Sequence, residues 1–211
     1  QDYARTGKIK MQTKAEKFLL ENDYDPAAMS GNLESMLIAL KNSGSCLKSF
    51  KIRGQFITRF GFAILTRAIV SEIKPYRPLL EVGAGTGYWT WELKRQGIDI
   101  IATDHKRPAK NNYRFQSQYG RIGIMDATKA VRRYPKRNLL IIWPCYENSW
   151  SDQALAAFTG EFVLYVGESN GGCTATDEFH ARLNSDFELV NRIVMPQFSG
   201  IHDDLTIWHK K

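Results

Sequence analysis

The sequence predicts an α/β fold: a seven-stranded, mostly parallel sheet with an antiparallel last strand, helices on both faces, and an N-terminal helical extension. Two observations carry that expectation. From residue 78 onward, short apolar runs alternate with helix-like segments, the pattern of parallel strands joined by crossover helices. At the C-terminal end two such runs are joined only through Pro196-Gln197-Phe198-Ser199-Gly200 and its neighbours. A parallel pair needs a longer crossover, so these two strands must pair antiparallel.

The elements follow in order. Residues 1–60 read as the helical extension and 61–211 as the α/β domain. Residues 14–20 and 32–40 have helical apolar spacing and are separated by a turn-like Asp25-Pro26, while Asn42-Ser43-Gly44-Ser45 reads as a loop. Phe56, Ile57, Phe60, Ile64, Leu65, Ile69, Val70 and Ile73 predict one further helix, stopped by Lys74-Pro75. Strands are then expected at 78–82, 99–103, 121–125, 138–143, 161–166, 187–195 and 205–208. Helices are expected at 88–96, 151–158 and 176–183.

A chain of 211 residues suffices for one α/β domain plus an extension and is too short for two full domains. Apolar runs stay well under the roughly 20 residues that span a bilayer, so no membrane partner is expected. Gln1 is not an initiator and no leader pattern opens the chain, so a processed or trimmed start is expected. Cys46, Cys145 and Cys173 are odd in number, far apart and form no C-x-x-C pair, which points to a reducing, cytoplasmic setting. His105, His180, His202 and His209 lack metal-ligand spacing, so no metal is expected. Basic residues are spread along the whole chain and give a net charge of +7. That balance favours acidic partners, whether an acidic small molecule or nucleic acid.

The chemistry centres on Glu81-Val82-Gly83-Ala84-Gly85-Thr86-Gly87. A glycine-rich turn after a buried strand and before a helix lets backbone N–H groups approach a ligand closely. The spacing is G-x-G-x-G, with Tyr88 where the dinucleotide fingerprint places its third glycine. The preceding acid Glu81 suits a ligand carrying positive charge and is unfavourable to a pyrophosphate. Asp104, 21 residues after Gly83, ends the next strand, where a carboxylate binds both hydroxyls of an adenosine ribose.

These residues resemble the first motif and the ribose-binding acid of class I, Rossmann-like S-adenosylmethionine-dependent methyltransferases, over about residues 62–211. The resemblance implies S-adenosyl-L-methionine as cofactor. It implies a binding site formed by Glu81, Gly83, Ala84, Gly85, Gly87, Tyr88, Asp104 with His105, the adenine-contacting pair Asp126-Ala127, and Trp143 after strand four.

Trp143-Pro144-Cys145-Tyr146-Glu147-Asn148, after strand four, stands where several enzymes of that superfamily carry their acceptor-site motifs. Pro144 and Tyr146 resemble the Asn/Asp-Pro-Pro-Tyr motif of enzymes acting on exocyclic amines, but the Trp143 side chain accepts no hydrogen bond. Pro144-Cys145 resembles the nucleophile of cytosine-C5 enzymes, without the glutamine that follows it there. Trp143 also stands where catechol-type and ribose 2′-O enzymes carry an acid. Tyr146 remains as a stacking wall or cation–π surface. Glu168, ending strand five, is the general-base candidate, because partial burial is expected to raise its pKa toward neutrality. His202 beside Asp203 is a second candidate base with its orienting acid. Lys106, Arg107, Lys110 and Arg114, beside the cofactor face, are the cations best placed for an acidic substrate.

The expected function is thus methyl transfer from S-adenosylmethionine to an unidentified acceptor, small molecule or nucleic acid. The alternatives are an inactive nucleic-acid-binding or regulatory protein on the same scaffold, or another use of the cofactor such as aminopropyl transfer.

Overall fold

A computed structural model describes residues 12–24, 46–198 and 200–211, with side chains from residue 49 in the second stretch. The helix expected at 32–40 and the turns at Asp25-Pro26 and 42–45 lie outside the described residues. Helices α1 (Lys14–Glu21), α2 (Cys46–Phe60) and α3 (Arg67–Ile73) precede strand β1 (Leu79–Val82). There follow α4 (Tyr88–Arg95), β2 (Ile100–Asp104), β3 (Gly123–Ile124), α5 (Ala127–Arg133), β4 (Asn138–Ile142) and α6 (Trp150–Ala157). Strand β5 (Phe162–Gly167), α7 (Asp177–Asp186), β6 (Phe187–Val194) and β7 (Asp204–Lys210) complete the chain.

The seven strands form one sheet in the order β3-β2-β1-β4-β5-β7-β6. All pairings are parallel except those of β7, which runs antiparallel to both β5 and β6. Side chains alternate across the sheet, as strand geometry requires. Leu79, Leu140, Leu164 and Ile207 enter one apolar core, while Leu80, Leu139, Val163 and Trp208 enter the other. Helices α1 to α4 cover the first face and α5 to α7 the second. Both faces are therefore dry, which explains why the central strands are apolar runs.

The N-terminal helices belong to the first core. Phe18 and Leu19 of α1 pack with Ile52, Phe56 and Phe60 of α2 and with the sheet. Burying each such side chain contributes roughly 1.5–3 kcal/mol. Thr13 and Glu16 form a capping box on α1, and Glu16 Oε1 also accepts from Arg67 N at 3.1 Å. Thr13 Oγ1 donates to Leu65 O at 2.8 Å.

Helix α5 lies where no element is expected, α7 and β7 run three and two residues past their expected ends, and two expected elements differ more. The apolar positions from Phe56 to Ile73 do not form one helix. The chain breaks at Gly61, whose φ of +105° is left-handed, and Thr66 then caps α3 through Ile69 N. Strand β3 spans only Gly123 and Ile124 rather than five residues, as expected of an edge strand paired on one side.

Candidate functional site

The parallel strands β1, β2 and β4 end on one edge of the sheet, where the glycine turn lies. Gly83, Gly85 and Gly87 all have left-handed φ, +69°, +54° and +74°. A side chain is excluded at two of them for a second reason. A Cβ on Gly83 would lie 2.7 Å from Trp150 Cη2, and one on Gly87 would lie 2.7 Å from the carbonyl oxygen of Tyr119. Two bonds tie the turn to β2: Ala84 N donates to Thr103 O at 3.0 Å and Gly85 N to Asp104 Oδ2 at 2.9 Å. Asp104 Oδ1 accepts from Lys106 N at 3.0 Å and sits 3.1 Å from His105 Nδ1, whose ring is exposed. The Asp104 carboxylate is itself buried.

Glu81 is buried under the turn, where both N–H and Oγ1 of Thr90 donate to its Oε2. Burial pushes its carboxyl up to about 7 against those hydrogen bonds. Tyr88 departs from its expected place beside the cofactor. Its ring is fully buried in the first core and its hydroxyl accepts from Ala15 N at 2.9 Å, so Tyr88 anchors α1 and only its backbone faces the turn. Beyond β3, Asp126 is the N-cap of α5, accepting from Lys129 N at 2.8 Å, and Ala127 is the first helical residue. The Lys129 amide and side chain hold the exposed Asp126 carboxyl below its ordinary value.

At the end of β4, Trp143 adopts a left-handed φ of +49°, a strained conformation for an aromatic residue. Three contacts hold it there. Its ring stacks on Phe62 at 5.0 Å with planes 8° apart, its Nε1 donates to Asp203 Oδ1 at 2.7 Å, and the Arg53 guanidinium lies 5.7 Å from its ring. Strands β5 and β7 pair with Gly167 opposite Asp204, which brings the flanking Glu168 and Asp203 together. Burial pushes the Asp203 carboxyl up to about 7; Glu168 adds to that, and Trp143 and Arg53 oppose it.

Two expectations for this edge are corrected. Burial does raise the pKa of Glu168, but the amides of Cys173 and His202 outweigh it, at 2.7 Å and 2.9 Å, and hold the carboxyl below its ordinary value. Glu168 is therefore ionised and weakly basic, an organiser of the turn 169–173. The expected His202–Asp203 pairing also fails. The His202 ring is exposed and lies 3.5 Å from Glu168 Oε1, whereas Asp203 faces Trp143. Neighbours entering a strand point to opposite sides.

Tyr146 is exposed, and its hydroxyl donates to Glu147 Oε1 at 3.2 Å. It borders an open cleft of about 260 Å³ with Asn170, Gly172, Thr176, Asp177 and His180. Cys145 and Cys173 are free thiols, and burial with the neighbouring Glu168 pushes Cys173 up to about 11. Among the described residues no group of His, Cys, Asp and Glu could hold a metal ion.

Four aromatic or basic neighbours were not legible in the motifs: Arg53, Phe62, Tyr113 and Phe115. Phe115 is buried with its ring edge 3.1 Å from where a Gly85 Cβ would be. Phe62 contacts Tyr113 and Phe115 edge-on at 5.1 and 6.3 Å. Nothing in their local sequence marks them, because α2, the break that follows it and the β2–β3 connection bring them to the turn from far along the chain.

No family model and no curated protein matches the sequence. Among solved structures, the chain is similar to magnesium protoporphyrin IX methyltransferase from Synechocystis PCC 6803 with bound S-adenosylmethionine. The TM-score is 0.51 at 8% identity, over 92% of this chain and 97% of that one. It is also similar to 1,6-didemethyltoxoflavin-N1-methyltransferase from Burkholderia thailandensis, with a TM-score of 0.47 and 19% identity over 69% and 77% of the two chains. The first likeness is one of fold: this chain has the Rossmann-like fold of S-adenosylmethionine-dependent methyltransferases.

Proposed function

We propose that the protein is an S-adenosylmethionine-dependent methyltransferase. The observation that carries this reading is the joint between Asp104 and the turn, where a buried carboxylate bonds the Gly85 amide at the strand edge. A carboxylate offers about four acceptor positions. Three are engaged, one of them by the exposed and displaceable His105, so the geometry suits a ribose diol.

In this reading the backbone of Gly83, Ala84, Gly85 and Gly87 lines the amino-acid end of the cofactor, with Glu81 beneath it. Asp104 and His105 hold the ribose, and Asp126-Ala127 border the adenine. The bound cofactor supplies an already activated methyl group, so the protein's work is alignment and exclusion of water. Trp143, fixed by Phe62 and Asp203, forms the floor on the acceptor side, and Tyr146 its outer wall. His202, exposed beside Glu168, is the proton acceptor, and Asp203, with its carboxyl near 7, is the buried reserve.

The described helices α1 and α2 of the N-terminal extension serve as the cap, with Arg53 of α2 beside Trp143 on the acceptor side. Among the described residues no helix is long and apolar enough to cross a membrane. Free Cys145 and Cys173 suit a reducing cytoplasm. Equilibrium dialysis of the intact chain against radiolabelled S-adenosylmethionine tests the proposal. Saturable binding displaced by S-adenosylhomocysteine is expected; absence of binding rejects it.

A further inference from the structure

The cations are spread along the chain, but the acids are not. Between Glu34 and Glu72 there are six Lys or Arg and no acid, and between Asp104 and Asp126 there are five and no acid. Subtracting these eleven charges from the chain's +7 leaves the rest at −4. The whole positive excess thus lies in two segments. The fold joins them: Gln116 N in the β2–β3 connection donates to Thr58 O in α2 at 2.8 Å, and Phe115 of that connection covers Gly85. Lys51, Lys106, Arg107, Lys110, Arg114 and Arg121 are exposed. None of the six forms an ion pair among the described residues. Of the two acids that act on Tyr113, Asp104 is buried and Glu147 lies on the Tyr146 side.

Within this field Tyr113 is 44% exposed, held edge-on against Phe62, which stacks on Trp143. An aromatic ring among unpaired cations, continuous with aromatic residues at the site, is how single-stranded nucleic acid is bound: phosphates meet the cations and a base stacks on the ring. An anionic membrane surface would instead want a broad apolar flank, and α2 and the connection expose only single large rings, Phe50 and Tyr113, amid polar side chains.

We propose that α2 and the β2–β3 connection bind single-stranded nucleic acid and lead it to the mouth of the cofactor site. This deepens the methyltransferase reading by naming its acceptor class.

The test is fluorescence anisotropy of the full chain, without cofactor, on labelled RNA and DNA strands of about 20 nucleotides, from about 50 to 200 mM salt. Affinity is expected to fall with salt, by about 0.7 in log–log slope for each phosphate contacted. Lys110→Glu with Arg114→Glu should cut the slope by about 1.4 and the affinity at least tenfold. Arg132→Glu with Lys136→Glu, on exposed positions in and just after α5, carries the same charge change and should leave affinity within about threefold. Tyr113→Ala should lose roughly 5- to 150-fold with the slope unchanged, and Tyr113→Phe should retain affinity. No binding to either strand, equal losses in both charge-reversal pairs, or full affinity in Tyr113→Ala would each overturn the proposal. Cofactor binding is measured separately, so failure here leaves the methyltransferase reading standing, and the reverse.

Discussion

Replacing Asp203 by Asn isolates the most strongly perturbed group at the acceptor edge. The side chain is buried and accepts from Trp143 Nε1 at 2.7 Å, a bond that an amide oxygen can keep. Burial raises its carboxyl from 3.8 to about 7. A carboxyl that binds its proton more tightly in the native state contributes stability that is full below the unfolded value and is lost as pH rises through the folded value. The window therefore runs from about pH 4 to pH 7, with stability falling as pH rises. About 3 units at 1.36 kcal/mol each gives about 4 kcal/mol over the whole window. Between pH 5 and pH 8 the share is about 2.5 kcal/mol, because at pH 5 the unfolded carboxyl is already ionised. Urea denaturation at both pH values reads this directly. The wild-type protein should lose about 2.5 kcal/mol more than Asp203→Asn between pH 5 and pH 8. Glu81, also raised to about 7, contributes equally to both proteins and cancels in the comparison. Parallel losses in the two proteins would show that Asp203 is not held protonated by its surroundings.

Other consequences can be checked in the same way. Glu168→Gln replaces an ionised acceptor of two amides and should cost about 1.5–3 kcal/mol at neutral pH, shrinking in acid as the wild-type carboxyl protonates. Denaturation at pH 7 and pH 3 measures both values. Tyr88→Phe leaves the buried Ala15 amide without its partner and should cost about 1–3 kcal/mol, with faster hydrogen exchange in α1. Gly87→Ala forces a side chain onto the Tyr119 carbonyl at a left-handed φ and should cost more than about 2 kcal/mol by thermal unfolding.

The sheet was legible because both of its signals are local: buried parallel strands are apolar runs, and a missing crossover forces antiparallel pairing. Strands β1, β2, β4 and β5 and helices α4 and α6 fall within one residue of their expected bounds at either end. The helix expected through Phe56 to Ile73 was not, since apolar periodicity continues across Gly61 while the backbone there turns left-handed. The cofactor side was legible for a related reason: the turn and Asp104 are fixed by position on consecutive strands. The acceptor side depends on contacts between distant segments. Phe62 reaches Trp143 from before β1, and Asp203 reaches it from before β7. The pKa of Glu168 is set by two amides, one of them 34 residues along the chain, which burial of a strand end does not foretell.

Asp104 is the residue proposed to join the glycine turn to the cofactor. Isothermal calorimetry with S-adenosylhomocysteine on the wild-type chain and on Asp104→Ala tests it. Saturable 1:1 binding is predicted for the wild type, weakened in the variant by about 1.5–3 kcal/mol, the value of hydrogen bonds to a charged group. No heat with the wild-type chain, or equal affinity in the two proteins, would contradict it.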